Sequence, residues 1–219
     1  MSHPPQNAGR RRVARGSIVA AAALIALIVA MALSTTYWPA DKPIPGQRVA
    51  FDPASYAQDN YQSKIVPAIE SNAVDLTTLV DGLVADPNAT GEKYGKRDGT
   101  SPWSYAVRAT GIAGEPVNGL LPITVQGVAP STRISVQIGP AINGTALRDA
   151  SGLVHFNDFV NQVEYADSAI ALNTAMAKSV LADLDPKTLA GHMITVVGAT
   201  APLNPRLVTI TAVSIKEGS

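Results

Sequence analysis

Residues 17–34, SIVAAAALIALIVAMALS, contain no charged side chain and follow a cluster of four arginines, Arg10, Arg11, Arg12 and Arg15. At the α-helical rise such a run spans about 27 Å, close to the hydrocarbon thickness of a bilayer. Backbone groups in lipid must be satisfied within the segment, so the run has to be helical. Arginines on one flank alone orient it with the N-terminus in the cytoplasm and the bulk of the chain outside. Tyr37 and Trp38 follow, as amphipathic rings do at an outer interface. A core helix and a cleaved signal peptide are the competing readings. Ala30-Met31-Ala32 has the small-x-small form of a cleavage site, placing a cut after Ala32. An uncleaved anchor is the expectation. A twin-arginine export signal fits less well, because the apolar positions after the arginine pair are poorly filled.

The arginine cluster hides a charge asymmetry. Lys plus Arg balances Asp plus Glu at 17 each, yet no acid precedes Asp41. Without the four arginines, 13 basic residues face 17 acidic ones, a formal charge of −4. A mildly acidic exported domain with few aromatics is a poor nucleic-acid partner, which would need clustered cations and stacking platforms. The sequence has no cysteine, which excludes disulfides, thiolate metal sites, cysteine nucleophiles and lipid attachment through cysteine.

The expected organisation is a basic cytoplasmic tail (1–16), a transmembrane anchor (17–34), a Pro-rich linker (35–50) and an extracytoplasmic domain (51–219). Pro39, Pro43, Pro45 and Gly46 stiffen the linker. Asp52-Pro53 is a helix start, and helical texture continues to residue 86 with a break or kink at Pro67. A second helix is expected from Asp75 to Ala85, with Leu76, Leu79, Val80 and Leu83 on one face. Residues 88–101 read as an exposed loop. Beyond Trp103 the apolar period becomes two. Strands are expected near 103–110, 121–127 and 133–138, then a helix over about 158–184, then strands over 191–198 and 207–215. The helix should bury Val163, Ile170, Met176, Val180 and Leu184, with Asp158 as its N-cap.

Three strands, a helix and two strands is the element order of an OB-fold. The fold class is therefore α+β: an OB-like five-stranded β-barrel over 102–217 with a helix between strands 3 and 4, N-terminal helices over 52–86 packed on it, and one transmembrane helix. Gly111, Gly127 and Gly198 fall where barrel strands bend or bulge. A plain α+β sheet covered on one face is the alternative.

Two polar clusters are candidate ligand or partner sites. Residues 139–150, GPAINGTALRDA, place Asn143, Thr145, Arg148 and Asp149 between a strand and the central helix. A guanidinium fixed by an aspartate can grip a carboxylate or phosphate with two hydrogen bonds. The same two residues can equally pair with each other to hold the loop in shape. The second cluster holds Asn157, Asp158, Asn161, Gln162 and Tyr165. Amides and a phenol suit a small carbohydrate, and they also suit a solvated helix start.

Catalysis has little support. The three histidines, His3, His155 and His192, are dispersed, and no nucleophile elbow, metalloprotease helix or phosphate-binding loop occurs. Asp149 and Asp158 are the least unsuitable acid–base pair for an envelope enzyme acting on a saccharide. No metal or cofactor is expected. A purely structural role in envelope assembly is the third reading.

Residues 137–150, QIGPAINGTALRDA, and 156–165, FNDFVNQVEY, with Phe51-Asp-Pro53 and Tyr94-Gly95, resemble the bacterial family of predicted periplasmic lipoproteins of unknown function. The resemblance runs from about Phe51 to Ile215. It implies work beside an ABC-type sugar uptake system, touching the permease or the solute-binding protein. The sequence departs from that pattern in having no lipobox cysteine, so a transmembrane helix takes the place of the lipid.

Overall fold

The computed structural model describes residues 10–35 and 50–218. The tail up to residue 9, Tyr37, Trp38 and the prolines and glycine of the linker lie outside the described residues. The chain divides into two units, Met1–Ala50 and Phe51–Ser219.

In the first unit, α1 (Arg10–Ser34) contains the apolar stretch Gly16–Ser34, 19 residues of mean hydropathy 2.6 and none of it buried. That is long and apolar enough to cross a membrane. The helix begins seven residues ahead of the apolar run, within the stretch read as a tail; arginine is a good helix former, so nothing in its sequence stops it.

The second unit opens with α2 (Pro53–Asn60), where the Asp52 carboxylate accepts from Ala54 N at 3.0 Å and Pro53 takes the first turn. The expected break at Pro67 does not occur. A π-helical turn (Tyr61–Ile65) precedes α3 (Val66–Asn72), and Val66 N–H donates to the Tyr61 carbonyl five residues back. The wider turn takes up the hydrogen bond and ring space that proline denies a regular helix, so the helical run is not interrupted there.

A two-residue strand, β1 (Val74–Asp75), leads into α4 (Leu76–Ala85), which buries Leu76, Leu79, Val80 and Leu83 as expected. Asp75 caps it, accepting from Thr77 N at 2.8 Å and Thr78 N at 3.4 Å. Asp75→Ala is expected to lower the unfolding free energy by about 1 kcal/mol, read as a shifted urea midpoint at unchanged slope.

Residues 88–101 are not all loop, because α5 (Pro87–Tyr94) occupies the first half. Asp86 caps this helix through Asn88 N and Ala89 N, both at 3.0 Å, with Pro87 at the start. The Asp-Pro pair that ends one helix therefore begins the next. Gly91 is not a loop glycine either: a Cβ there would stand 2.3 Å from Trp103 Nε1, so glycine lets the indole lie against the helix.

The five strands are β2 (Tyr105–Ala113), β3 (Leu120–Val125), β4 (Arg133–Gln137), β5 (Met193–Thr200) and β6 (Leu207–Glu217). Their order is β2-β3-β4-β6-β5, and β5 pairs back onto β2. β4 and β6 run parallel and the other barrel pairs antiparallel. This closed circuit is an OB-like barrel, and β1 adds a short parallel strand beside β2. Closure leaves the barrel without free edges.

Period-two alternation divides the core in two. Val107, Leu121, Val136, Ile194 and Ile210 fill the barrel with the face of α4. Ala106, Val197, Ala199 and Val213 point outward beneath Ile65, Ile69, Leu147, Leu172 and Met176 from the helices. A bulge lets the strands keep both sets. The register jumps from Val197↔Ser214 to Gly198↔Ala212, skipping Val213, so that Ile215 packs against the barrel interior. Gly198 sits at this step, and a Cβ there would meet Thr211 O at 2.4 Å. Gly111 is equally tight against β3, and Gly127 follows β3 at φ +87°.

The helical connection between β4 and β5, the third and fourth barrel strands, includes α6 (Ala146–Ala150), a 3₁₀ turn (Phe156–Asp158), α7 (Gln162–Met176) and a π-turn (Ala177–Leu181). The N-cap of α7 is Asn161, not Asp158. Its buried face also differs from expectation. Val163 is 67% and Ile170 63% exposed, whereas Ser168, Ala169, Ala171, Leu172, Asn173 and Met176 are buried. The helix packs closely through small residues, which leaves two bulky ones outside.

Candidate functional site

The loop after β4 is fastened at both ends. Gln137 Nε2 donates to Asn143 O and to Thr211 Oγ1, each at 2.9 Å, and its Oε1 accepts from Asn143 N at 2.9 Å. Asn173 of α7 donates to Gly144 O at 2.9 Å. Asn143 is thus held by its backbone, with the residue exposed. Neither clamp was singled out from the sequence; an amide ending a strand carries no local sign that it will close a loop.

Four candidates from the two polar clusters come together behind this loop. Arg148 Nε donates to Asp149 Oδ1 at 2.7 Å, and Arg148 Nη1 to Tyr165 O at 2.7 Å. The guanidinium carbon lies 3.5 Å from the Tyr165 ring centroid, a cation–π stack. Thr145 Oγ1 donates to Asp149 Oδ2 at 2.6 Å, and Tyr165 Oη approaches Oδ1 at 3.4 Å. The Arg148 and Asp149 side chains are only 7% and 8% exposed. Burial pushes the Tyr165 phenol up to about 12, against the lowering effect of Arg148, so it stays neutral at physiological pH.

The other candidates do different work. The Asn161 carboxamide accepts from Val163 N at 2.9 Å and Glu164 N at 3.0 Å, capping α7. Asp158 accepts from His155 N at 2.9 Å and shapes the 3₁₀ turn. Asn157 and Gln162 are exposed, and no hydrogen bond from their side chains occurs among the described residues. Beneath them lies an aromatic cluster that the sequence reading missed. Phe159 stands 5.3–5.7 Å, centroid to centroid, from Phe51, Tyr56 and Tyr165, and Phe156 stands 5.5 Å from Tyr165. The same segment, 153–163, carries exposed apolar side chains, Leu153, Phe156, Val160 and Val163. No group of three or more His, Cys, Asp or Glu able to hold a metal occurs among the described residues.

This geometry is a rigid polar scaffold carrying an exposed rim of mixed apolar and amide character. The family model described as predicted periplasmic lipoprotein, a domain of unknown function, matches residues 21–216, which takes in most of the apolar helix, the barrel and both polar clusters. The chain belongs to this family. The family's description names a lipoprotein, and this chain of 219 residues has no cysteine to carry the lipid. Among solved structures, the crystal structure of an OB-fold protein from Thermotoga maritima is similar, at 17% identity and TM-score 0.64, over 78% of this chain and 100% of that one. It supports the fold alone. No curated protein matches the chain.

Proposed function

We propose that this family member is a non-catalytic accessory protein, anchored by α1 with its N-terminus in the cytoplasm, whose extracytoplasmic domain serves an ABC-type sugar uptake system. The observation that carries the docking role is the rim itself. Leu153, Phe156, Val160 and Val163 are exposed beside Asn157 and Gln162, on a segment held from behind by Arg148, Asp149 and Tyr165. Apolar anchors flanked by free amides, on a loop with little left to order, suit capture of a protein partner. The non-catalytic reading is supported by the use of Asp149, whose two oxygens are taken by Thr145, Arg148 and Tyr165. The orientation rests on the four arginines ahead of the anchor, and the transporter on the family resemblance.

Affinity purification of the tagged full-length protein from crosslinked native membranes tests the reading. The expected result is enrichment of a sugar transporter's permease or solute-binding protein, reduced about ten-fold or more by Val163→Glu. Recovery of bulk envelope proteins only, or equal capture by the variant, would overturn it.

A further inference from the structure

Ile170, midway along α7, is 63% exposed. One exposed aliphatic residue is ordinary, but its setting here is not. Beside it a groove of about 780 Å³ opens between α2 and α7, lined by Ala54 and Ala57 from one helix and Ala171 and Ala175 from the other. The chain thus carries a bulky apolar knob and an apolar hollow on the same face.

Two charges frame that face. Asp167 lines the groove one turn before Ile170, and Lys178 lines it two turns after. They are eleven residues apart, about 16 Å and three turns along the helix, so they share a face without reaching each other. Neither has an ion-pair partner among the described residues. An acid and a base placed in this way are their own complement: turned end over end, the face presents a base where it had an acid.

We infer that α7 packs antiparallel on α7 of a second copy of this chain, about a two-fold axis passing over Leu172 and Asn173. Asp167 of each copy then meets Lys178 of the other. The same rotation sets Ile170 over Ala171, Thr174, Ala175 and Lys178 of the second copy, the four-residue hole that receives a knob in helix packing. Thr174 falls likewise among Asp167, Ile170, Ala171 and Thr174. One rotation therefore satisfies the charges, the knob and the hollow together, as an isologous contact requires. A parallel pairing would set Asp167 on Asp167 and Lys178 on Lys178. An unrelated partner would have to supply the matching pattern independently, whereas a second copy supplies it by symmetry. The seam is only about three turns long, small for an interface, so the association is weak in dilute solution and belongs in the membrane, where anchored copies are concentrated. Val163 of the rim lies one turn before the seam, so the variants below leave it in place.

The test uses the full-length protein in native membranes with Thr174→Cys, the sole thiol of the chain, oxidised with copper phenanthroline. A disulfide-linked species of twice the chain mass is expected, well above the collisional level given by Ser131→Cys in the β3–β4 connection. Ile170→Asp should reduce it about ten-fold, as loss of a central anchor does. Asp167→Lys and Lys178→Asp should each reduce it about ten-fold, because two attractions per dimer become two repulsions. The double reversal Asp167→Lys/Lys178→Asp should restore it. Coexpressing the two single reversals under different tags should yield the mixed dimer and neither homodimer, an outcome that damage to the fold could not produce. A benzophenone attached to the thiol at position 174 reports any other occupant. Crosslinking no higher than at position 131, no rescue by the double reversal, or benzophenone adducts with foreign protein in place of a second copy would each overturn the inference.

Discussion

Arg148→Ala is expected to lower the unfolding free energy of the extracytoplasmic unit by about 3–5 kcal/mol, the cost of leaving a buried carboxylate without its cation. Asp149 would keep only the Thr145 hydroxyl at 2.6 Å and the more distant Tyr165 phenol. The Tyr165 carbonyl would be less affected, since Ser168 Oγ also donates to it at 2.7 Å. The loss is therefore mostly electrostatic, with the stacking on the Tyr165 ring added to it. Thermal melting should fall by roughly 10 °C for a unit of this size. Arg148→Lys restores the charge without the planar fork, so it should recover part of the stability. A loss below about 1 kcal/mol in Arg148→Ala would show that the pair is solvated like an ordinary surface bridge.

Gly111→Ala should cost a comparable amount through a different cause. A Cβ at this position of β2 would stand 2.3 Å from the Thr124 carbonyl oxygen of β3 and 2.9 Å from Ile123 Cγ2. The nearer obstacle is backbone in a paired strand, held by the register Gly111↔Val125 and Ile112↔Thr124. It can retreat only by opening the barrel between β2 and β3. An expected loss of about 3 kcal/mol sits at the upper end of overpacking penalties. Gly114→Ala, where a Cβ would have its nearest contact at 3.5 Å, serves as the control and should change stability little. If both variants melted alike, the close approach of β2 and β3 would not be present in solution.

The parts of the fold legible in the sequence are those where local chemistry and packing agree. Leu76, Leu79, Val80 and Leu83 share one face of α4 and are buried because no other face of that helix is apolar. The element order of the barrel was legible because each strand carries its own alternation and its own turn. Helix α7 was misread at Val163 and Ile170 because its inner face is built from Ala169, Ala171 and Ser168, and small residues carry little weight in a hydrophobic pattern. Helix α5 is hidden because residues 88–101 read as an exposed loop, although Asp86-Pro87 just before them is a helix start.

The candidate site divides in the same way. Arg148 and Asp149 are neighbours in sequence, so their pairing could be anticipated as one of two outcomes. That Tyr165 would lie under the guanidinium could not, because a contact across 17 residues depends on how α6 meets α7. The rim of Leu153, Phe156, Val160 and Val163 was invisible for a related reason: apolar residues beside a helix start are normally assigned to the core. Here the buried place is taken by Phe159, and its neighbours on either side are left outside.

The placement of the domain outside the cytoplasm is the claim on which the accessory role depends, and the absence of cysteine makes it directly measurable. A single Gln162→Cys substitution introduces one exposed thiol into the full-length protein, and a second protein carries Ser2→Cys instead. Intact spheroplasts are then treated with a membrane-impermeant maleimide. The account predicts labelling of the thiol at position 162 in intact spheroplasts, and of the thiol at position 2 only after lysis. Labelling of position 162 only after lysis would contradict it.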